Sequence, residues 1–421
     1  MNTPSSYYRN FLTMLSGNMA SQLIPFLLAP VLARIYSPEA FGVLANFMAI
    51  VGVIGIIATA RLELAIPLPD RHERAQDIAF TGAFATLLIG FLSLALPFFS
   101  EQVGHFYKDS QLADQLWMAP VAIVSIGILG LSNNWSLRQS RFRSISVGKV
   151  VQSLANNGLA AVLGYIGWGI EGLITGWLIS QFLNILVLLA GVDRKINRND
   201  FGMSTVKSTV DEYRDFPLIN SLHAFTDLFV SQFLLFWIIS TQYGQKELGF
   251  FALMHRYVRA PIVVVTSSVS QLFYVEAGKA LNKGTSALPF FFRTIRTTFL
   301  FSIPFTAVLL LFGPSIFGWY LGEEWRTAGE YARCISPMLL LMFLVSPVSG
   351  TPILVKKQKP AFLFSVIGYS ASLSALVVAL KCGLGFEKAL WWYSGVFCIY
   401  QCCLIIWYYN SLKSPSHAST D

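Results

Sequence analysis

Charge is what this sequence has least of. Asp, Glu, Lys and Arg make up 12% of its 421 residues, against roughly 25% in a soluble domain. A surface so poor in charge cannot be solvated by water, which excludes an ordinary soluble globule. Cysteine is scarce too. Cys334, Cys382, Cys398, Cys402 and Cys403 all stand in or beside apolar stretches. Cys398 and Cys402 lie one helical turn apart, yet no His or carboxylate joins them at ligand spacing, so they read as small apolar residues and not as a metal site. Long external loops are missing, as are a glycine-rich phosphate loop and paired Cys/His ligands. The stretches 101–115 and 313–330 hold mainly scattered acids. No catalytic constellation emerges, so the expectation is a protein that is not an enzyme and needs no cofactor.

What is abundant is apolar surface: 54% of the residues are hydrophobic and the mean hydropathy is +0.58. Runs of about 20 apolar residues suit a hydrocarbon core of ~30 Å. In lipid the backbone must satisfy itself within helices or a closed barrel. Barrel strands would alternate in polarity, whereas the run 41–60 is continuously apolar. The fold class expected is therefore all-α integral membrane, with about twelve transmembrane helices. Their spans fall near 11–33, 41–60, 77–100, 116–136, 147–167 and 170–192, then 216–240, 248–273, 290–313, 332–353, 360–380 and 388–409. The first ten residues are polar and show no cleavable signal, so the first span reads as retained. The longest connector, 193–215, is polar and divides the chain. The expected organisation is a six-helix lobe at 1–192, a cytoplasmic linker at 193–215, a second six-helix lobe at 216–409 and a polar tail at 410–421.

Lysine and arginine orient the spans. With the N-terminus inside, 21 of the 30 cations fall on cytoplasmic loops and seven outside. Arg256 and Arg259 lie within a helix. A bias this large on short loops puts both termini in the cytoplasm. Most of the net charge of +8 is thus topogenic and does not imply a nucleic-acid partner.

A weak internal repeat supports the halving. Phe41-Gly42-Val43-Leu44-Ala45 opens the second helix and Leu248-Gly249-Phe250-Phe251-Ala252 the eighth, 207 positions later. Gly169-Ile170-Glu171 and Gly385-Phe386-Glu387 precede the sixth and twelfth helices, 216 positions apart. Parallel repeats of this kind place a substrate path between halves.

An ionisable side chain at mid-helix costs at least ~2.5 kcal/mol on insertion scales, so each needs a reason. The seventh helix carries Asp227, roughly 16 Å along its axis. The eighth carries His255, Arg256 and Arg259 at similar depth, the two arginines three apart and on one face. Two readings are open. One is an ion pair that locks helix seven to helix eight. The other is an electropositive cavity wall that binds an anionic head group, for which the planar arginine fork is suited. Two arginines against one aspartate leave surplus positive charge, and the 207 offset puts Ala49 and Gly52 at their counterparts. His223, one turn from Asp227, suits either a proton relay or helix packing. Asn18, Ser21, Gln22, Asn133, Asn134, Gln152, Asn156, Asn157, Gln181 and Asn184 suit interhelical hydrogen bonds or contact with sugar hydroxyls.

Several stretches are familiar. The segment FLLAPVLARIYSPEAFGVLANFMAIVGVIGIIATARLELAIPLP, residues 26–69, resembles the opening of bacterial polysaccharide and O-antigen repeat-unit flippases. These belong to the multidrug/oligosaccharidyl-lipid/polysaccharide exporter superfamily. Residues 248–274, 312–325 and 346–359 also resemble that family, in matching order and spacing. The resemblance implies two six-helix lobes in a V around a cationic cavity, in the bacterial inner membrane among its lipids. It implies an undecaprenyl-pyrophosphate-linked oligosaccharide as cargo, and the polymerase of the same glycan pathway as a partner. On this pattern Arg256 and Arg259 are the first candidates for the pyrophosphate, with Arg61 and Arg34 behind them as loop-edge arginines. Asp227 resembles the helix-seven carboxylate that helps bind a coupling cation, proton or sodium, in a peptidoglycan-precursor relative. The companion acid expected on helix eleven is absent, where Tyr369, Ser370, Ser372 and Ser374 stand instead, a departure from the relative's pattern. Two alternatives stand beside the flippase. A drug or cation antiporter of the same superfamily would want unpaired cavity acids, and a polytopic oligosaccharide polymerase or ligase would want a large external loop.

Overall fold

The computed structural model describes residues 4–190 and 202–413, and side chains from 13 onward except at 15 and 268. No strand occurs among the described residues. The helices are α1 (Pro4–Ile35), α2 (Pro38–Ala58), α3 (His72–Ser93), α4 (Ser100–Tyr107), α5 (Ser110–Gln115), α6 (Ala119–Arg138), α7 (Phe142–Tyr165), α8 (Gly169–Leu189), α9 (Met203–Glu212), α10 (Ser221–Leu228), α11 (Leu235–Gln242), α12 (Gln245–Asn282), α13 (Leu288–Leu321), α14 (Arg326–Val348), α15 (Thr351–Leu354), α16 (Gln358–Lys381) and α17 (Phe386–Lys413).

Eleven helical segments are long and apolar enough to cross a bilayer. The remaining long helix, α7, has spanning length but carries Lys149, Gln152, Ser153 and Asn157. Its polar groups are met by neighbours. Lys149 donates to Asn18 Oδ1 at 2.9 Å, and Ser153 to the Ser21 carbonyl at 2.7 Å. Gln152 donates to Gln181 Oε1 at 3.3 Å and accepts from Asn184 Nδ2 at 2.8 Å. The amides of α1, α7 and α8 therefore form a hydrogen-bonded ladder, the alternative that needs no cargo. The expectation of about twelve helices is consistent with these eleven segments and α7, whose polar groups are hydrogen-bonded by neighbouring helices.

Local chemistry explains the element starts. Ser37 caps α2, its hydroxyl accepting from the Ala40 amide, and Pro38 follows at the first helical position, where its fixed φ and missing N–H carry no penalty. The preceding Tyr36 is buried and donates to the Ala160 carbonyl at 2.7 Å. That burial pushes its phenol up to about 12.

The chain forms two compact units, Met1–Gly249 and Phe250–Asp421. In the first, Val43, Phe47 and Ile50 of α2 pack with Ile123 of α6, Ile174 of α8 and Leu112 of α5. Phe233 and Trp237 join this core, so the segment 216–242 packs with the first six helices. The expected domain boundary lay earlier, in the polar connector. A polar connector marks where the chain leaves the bilayer, whereas side-chain packing decides which core a helix joins. Connector residues 191–201 lie outside the described residues, 203–212 form α9, and 414–421 of the expected tail also lie outside them. In the second unit, Phe273, Phe291, Val345, Leu404 and Tyr408 form the core. Trp325 is fully buried there, edge-on to Phe250 at 5.5 Å.

Candidate functional site

The segment 216–242 is not a plain α-helix. Two π-helical stretches, Phe216–Asn220 and Phe229–Leu234, flank α10. π-Bulges widen a helix locally and recur at functional positions. His223 and Asp227 both lie on α10 and are exposed. Leu228, next to Asp227, reaches toward α2, its Cδ2 being 3.5 Å from where a Cβ on Gly52 would sit.

In the second unit, α12 carries the two predicted arginines. Arg256 is exposed, with its guanidinium carbon 6.0 Å from the Tyr257 ring centre. Arg259 is half-buried and interacts electrostatically with His255, one turn back, and with Tyr393 of α17. His255 itself stacks on Phe251 at 5.5 Å. Among the described residues of this unit, neither arginine forms an ion pair. Two cations thus stand on one face of a candidate spanning helix with no ion-paired carboxylate among the described residues of their own unit. Pro261, just beyond, donates no hydrogen bond to the Tyr257 carbonyl.

The remaining predicted arginines take different places. Arg34 ends α1, exposed, and donates to the Pro30 carbonyl at 2.9 Å; it caps its own helix. Arg61 sits in a left-handed turn after α2, with φ of 58° following Ala60 at 52°. It pairs with Glu63 at 3.4 Å. Glu63 also accepts a hydrogen bond from Thr59, and it is 7% exposed. These three residues close one end of a cavity of about 320 Å³ inside the first unit, lined further by Gly52, Gly55 and Gly130. The tertiary fold therefore brings Arg61 to a buried acid and a cavity that the sequence did not single out. The RLELAIPLP stretch contained the signal: an arginine and a glutamate two apart at the end of an apolar span.

A family model described as polysaccharide biosynthesis protein matches residues 31–330. The chain belongs to that family. The family likeness read from the four motifs therefore holds. Among curated proteins, the succinoglycan biosynthesis transport protein ExoT of Rhizobium meliloti (strain 1021) is 25% identical over 71% of this chain and 58% of its own length. A Shigella flexneri protein named as an O-antigen transporter is 26% identical over 45% of this chain and 47% of its own. The chain thus spans about half the length of these relatives. Among solved structures, the lipid II flippase MurJ in an inward closed conformation superposes with a TM-score of 0.76, covering 96% of this chain and 87% of MurJ at 15% identity. An inward-facing multidrug resistance MATE family transporter of the MOP superfamily gives 0.73 over 97% and 99%, also at 15% identity. These likenesses establish that this family member has the MATE and MurJ fold.

Proposed function

We propose that this family member carries an undecaprenyl-pyrophosphate-linked oligosaccharide, an O-antigen or capsule repeat unit, from the cytoplasmic to the periplasmic leaflet by alternating access. It does so as a transporter and not as an enzyme, in the bacterial inner membrane with both termini in the cytoplasm. The polymerase of the same glycan pathway takes over its product.

One observation carries this reading: Arg256 and Arg259 stand on one face of α12, within a span, with no ion-pair partner among the described residues of their unit. A cation held at such depth is costly unless it serves a ligand. A diphosphate supplies the missing counter-charge, and the arginine fork binds it bidentately. Arg61 and Arg34 rank behind them, because one is paired with Glu63 and the other caps α1. Asp227 and His223, on the π-flanked α10, are the candidates for proton or sodium coupling. The printed names of the two curated relatives, a succinoglycan transport protein and an O-antigen transporter, support a glycan cargo over the cationic drug of an antiporter.

The test is translocation of lipid-linked oligosaccharide in vesicles. Arg256→Ala and Arg259→Ala should each slow it about tenfold or more, as loss of a charge-assisted hydrogen bond implies, with unchanged insertion into the membrane. Normal translocation by both variants overturns the site assignment.

A further inference from the structure

The cavity bordered by Thr59, Arg61 and Glu63 is lined by residues of the first unit. Its walls come from one face of α2 (Gly52, Gly55, Ile56, Thr59) and one face of α6 (Ile126, Gly127, Gly130). The four glycines differ in why they are glycine. A Cβ on Gly55 would crowd Ile126 at 2.9 Å, and one on Gly127 would crowd the Thr86 hydroxyl at 2.7 Å. Helix packing accounts for both. A Cβ on Gly52 would meet nothing nearer than Leu228 at 3.5 Å, and one on Gly130 nothing nearer than Glu63 Cγ at 3.7 Å. Both distances are ordinary contacts, so packing leaves room for a side chain at either position. Glycine inside a helix is less stable than alanine, and here the fold gives no reason for it. What glycine provides at 52 and 130 is empty space in the cavity.

The polar end is equally particular. Ala60 and Arg61 both adopt left-handed backbone, which is strained for residues with a Cβ and clusters at functional sites. The turn sets the Arg61 guanidinium against the buried Glu63 carboxylate. Each Glu63 oxygen has one partner, Thr59 on Oε2 and Arg61 on Oε1, and a carboxylate has about four acceptor positions. Arg61 Nε is buried with no hydrogen-bond partner among the described residues. Donor and acceptor capacity therefore remain side by side.

The charge balance selects the ligand class. A phosphate would meet the Glu63 carboxylate and an arginine whose charge that acid already offsets. An acyl or isoprenoid chain would bury the ion pair without hydrogen bonds, which is costly. A neutral ring bearing hydroxyls suits both ends: hydroxyls donate to Glu63 and accept from Arg61, and the C–H face lies on the glycine and isoleucine wall. About 320 Å³ is at the small end of ligand sites, and a single sugar ring matches it better than an oligosaccharide. We infer that this cavity is a monosaccharide subsite of the first unit, reading hydroxyls through the Arg61–Glu63 pair and admitting the ring through Gly52 and Gly130. The inference rests on the glycan reading of the cargo, and names a second contact for it besides the diphosphate.

The experiment uses the full-length protein in detergent and native mass spectrometry. Two probes are compared: lipid-linked oligosaccharide extracted from cells that express the protein, and the same carrier diphosphate stripped of its sugars. Wild type should bind the glycosylated probe about tenfold more tightly, the equivalent of a pair of ordinary net hydrogen bonds. Gly52→Ala and Gly130→Ala should each reduce that difference to within about twofold while binding of the stripped carrier stays at the wild-type level, and Glu63→Gln should reduce the difference as well. The glycine variants have room to fold, so loss of the difference there reports on the cavity. Equal binding of both probes by wild type, or a sugar-dependent difference that survives all three substitutions, overturns the subsite and leaves the flippase reading standing. Failure of wild type to bind either probe overturns both.

Discussion

Gly42 and Gly249 face each other where α2 meets the first turn of α12. A Cβ on Gly42 would collide with the Gln245 carbonyl oxygen, and a Cβ on Gly249 with the Pro38 carbonyl oxygen. Each oxygen belongs to the residue four before the opposing glycine. Pro38 and Gln245, like Gly42 and Gly249, are 207 positions apart, the offset of the internal repeat. The short sequence echo thus corresponds to a two-fold-like backbone crossing, built by small residues that let two helices touch. Around it, Gln245 Nε2 donates to Asp109 Oδ2 at 2.7 Å and Asn46 Nδ2 donates to Gln245 Oε1 at 3.3 Å. Asp109 is buried enough for its carboxyl to be pushed above the usual range, opposed by hydrogen bonds from Gln111, Leu112 and Gln245.

Gly42→Ala and Gly249→Ala should each destabilise the purified protein by about 1–3 kcal/mol, the usual cost of overpacking. Gly158→Ala and Gly395→Ala, whose Cβ would meet nothing within 4 Å, are the controls and should be neutral or slightly stabilising. Thermal unfolding in detergent separates the two classes. Equal melting temperatures across all four variants would refute the crossing.

Arg138, at the end of α6, donates to four backbone carbonyls, those of Ile66, Pro69, Asp70 and Arg71. Two of these carbonyls belong to the RLELAIPLP stretch and two to the residues just after it. Arg138→Ala should release residues 66–71, and hydrogen exchange there should rise well above wild type while the core of α6 stays protected. Arg138→Lys should behave almost as Ala does, because one ammonium cannot serve four carbonyls in a fork. Full protection in the lysine variant would show that charge alone suffices.

The helix α9 is tied to α3 through Arg74, which donates from Nε to Glu212 at 3.0 Å, pairs with Asp77 at 3.3 Å and reaches Thr209 and the Ser208 carbonyl. The hydrogen bond from Arg74 holds the Glu212 carboxyl below its ordinary value. A lowered carboxylate contributes in full above its unfolded pKa, and the contribution fades as pH falls through the lower folded value. The protection factor of α9, exchange corrected for its intrinsic pH dependence, should therefore be flat from pH 7 down to the ordinary glutamate range and fall only in more acid solution. Glu212→Gln should raise exchange at neutral pH and flatten the profile. Both ends of the contact are solvated, so the effect on global stability should be small.

The candidate site was legible to different degrees. Arg256, Arg259 and Asp227 stood out because a charge inside an apolar run is visible in one dimension. That Asp227 packs with the first unit and the arginines belong to the second was not, since consecutive helices give no local sign of which core each joins. Glu63 gives no such sign, because it follows a span, where an acid ordinarily faces water; in the fold it is 7% exposed. Gly52 and Gly130 look like any glycines of a membrane helix until the space beside each is known.

Apolar runs and charged breaks are enough to read the class of protein and the order of its spans. Hydrocarbon forces each segment to satisfy its own backbone, and that demand is local, so apolar runs and charged breaks suffice to read it. Four motifs in register were enough for the family. Which helix faces pack against neighbours is visible only in the fold. Lipid and protein interior are equally apolar, and hydropathy cannot distinguish a face turned to lipid from a face turned to a neighbour. The ladder along α7, the crossing of Gly42 and Gly249, and the cavity at Arg61 and Glu63 all depend on pairs far apart in the chain, and distance in space settles those.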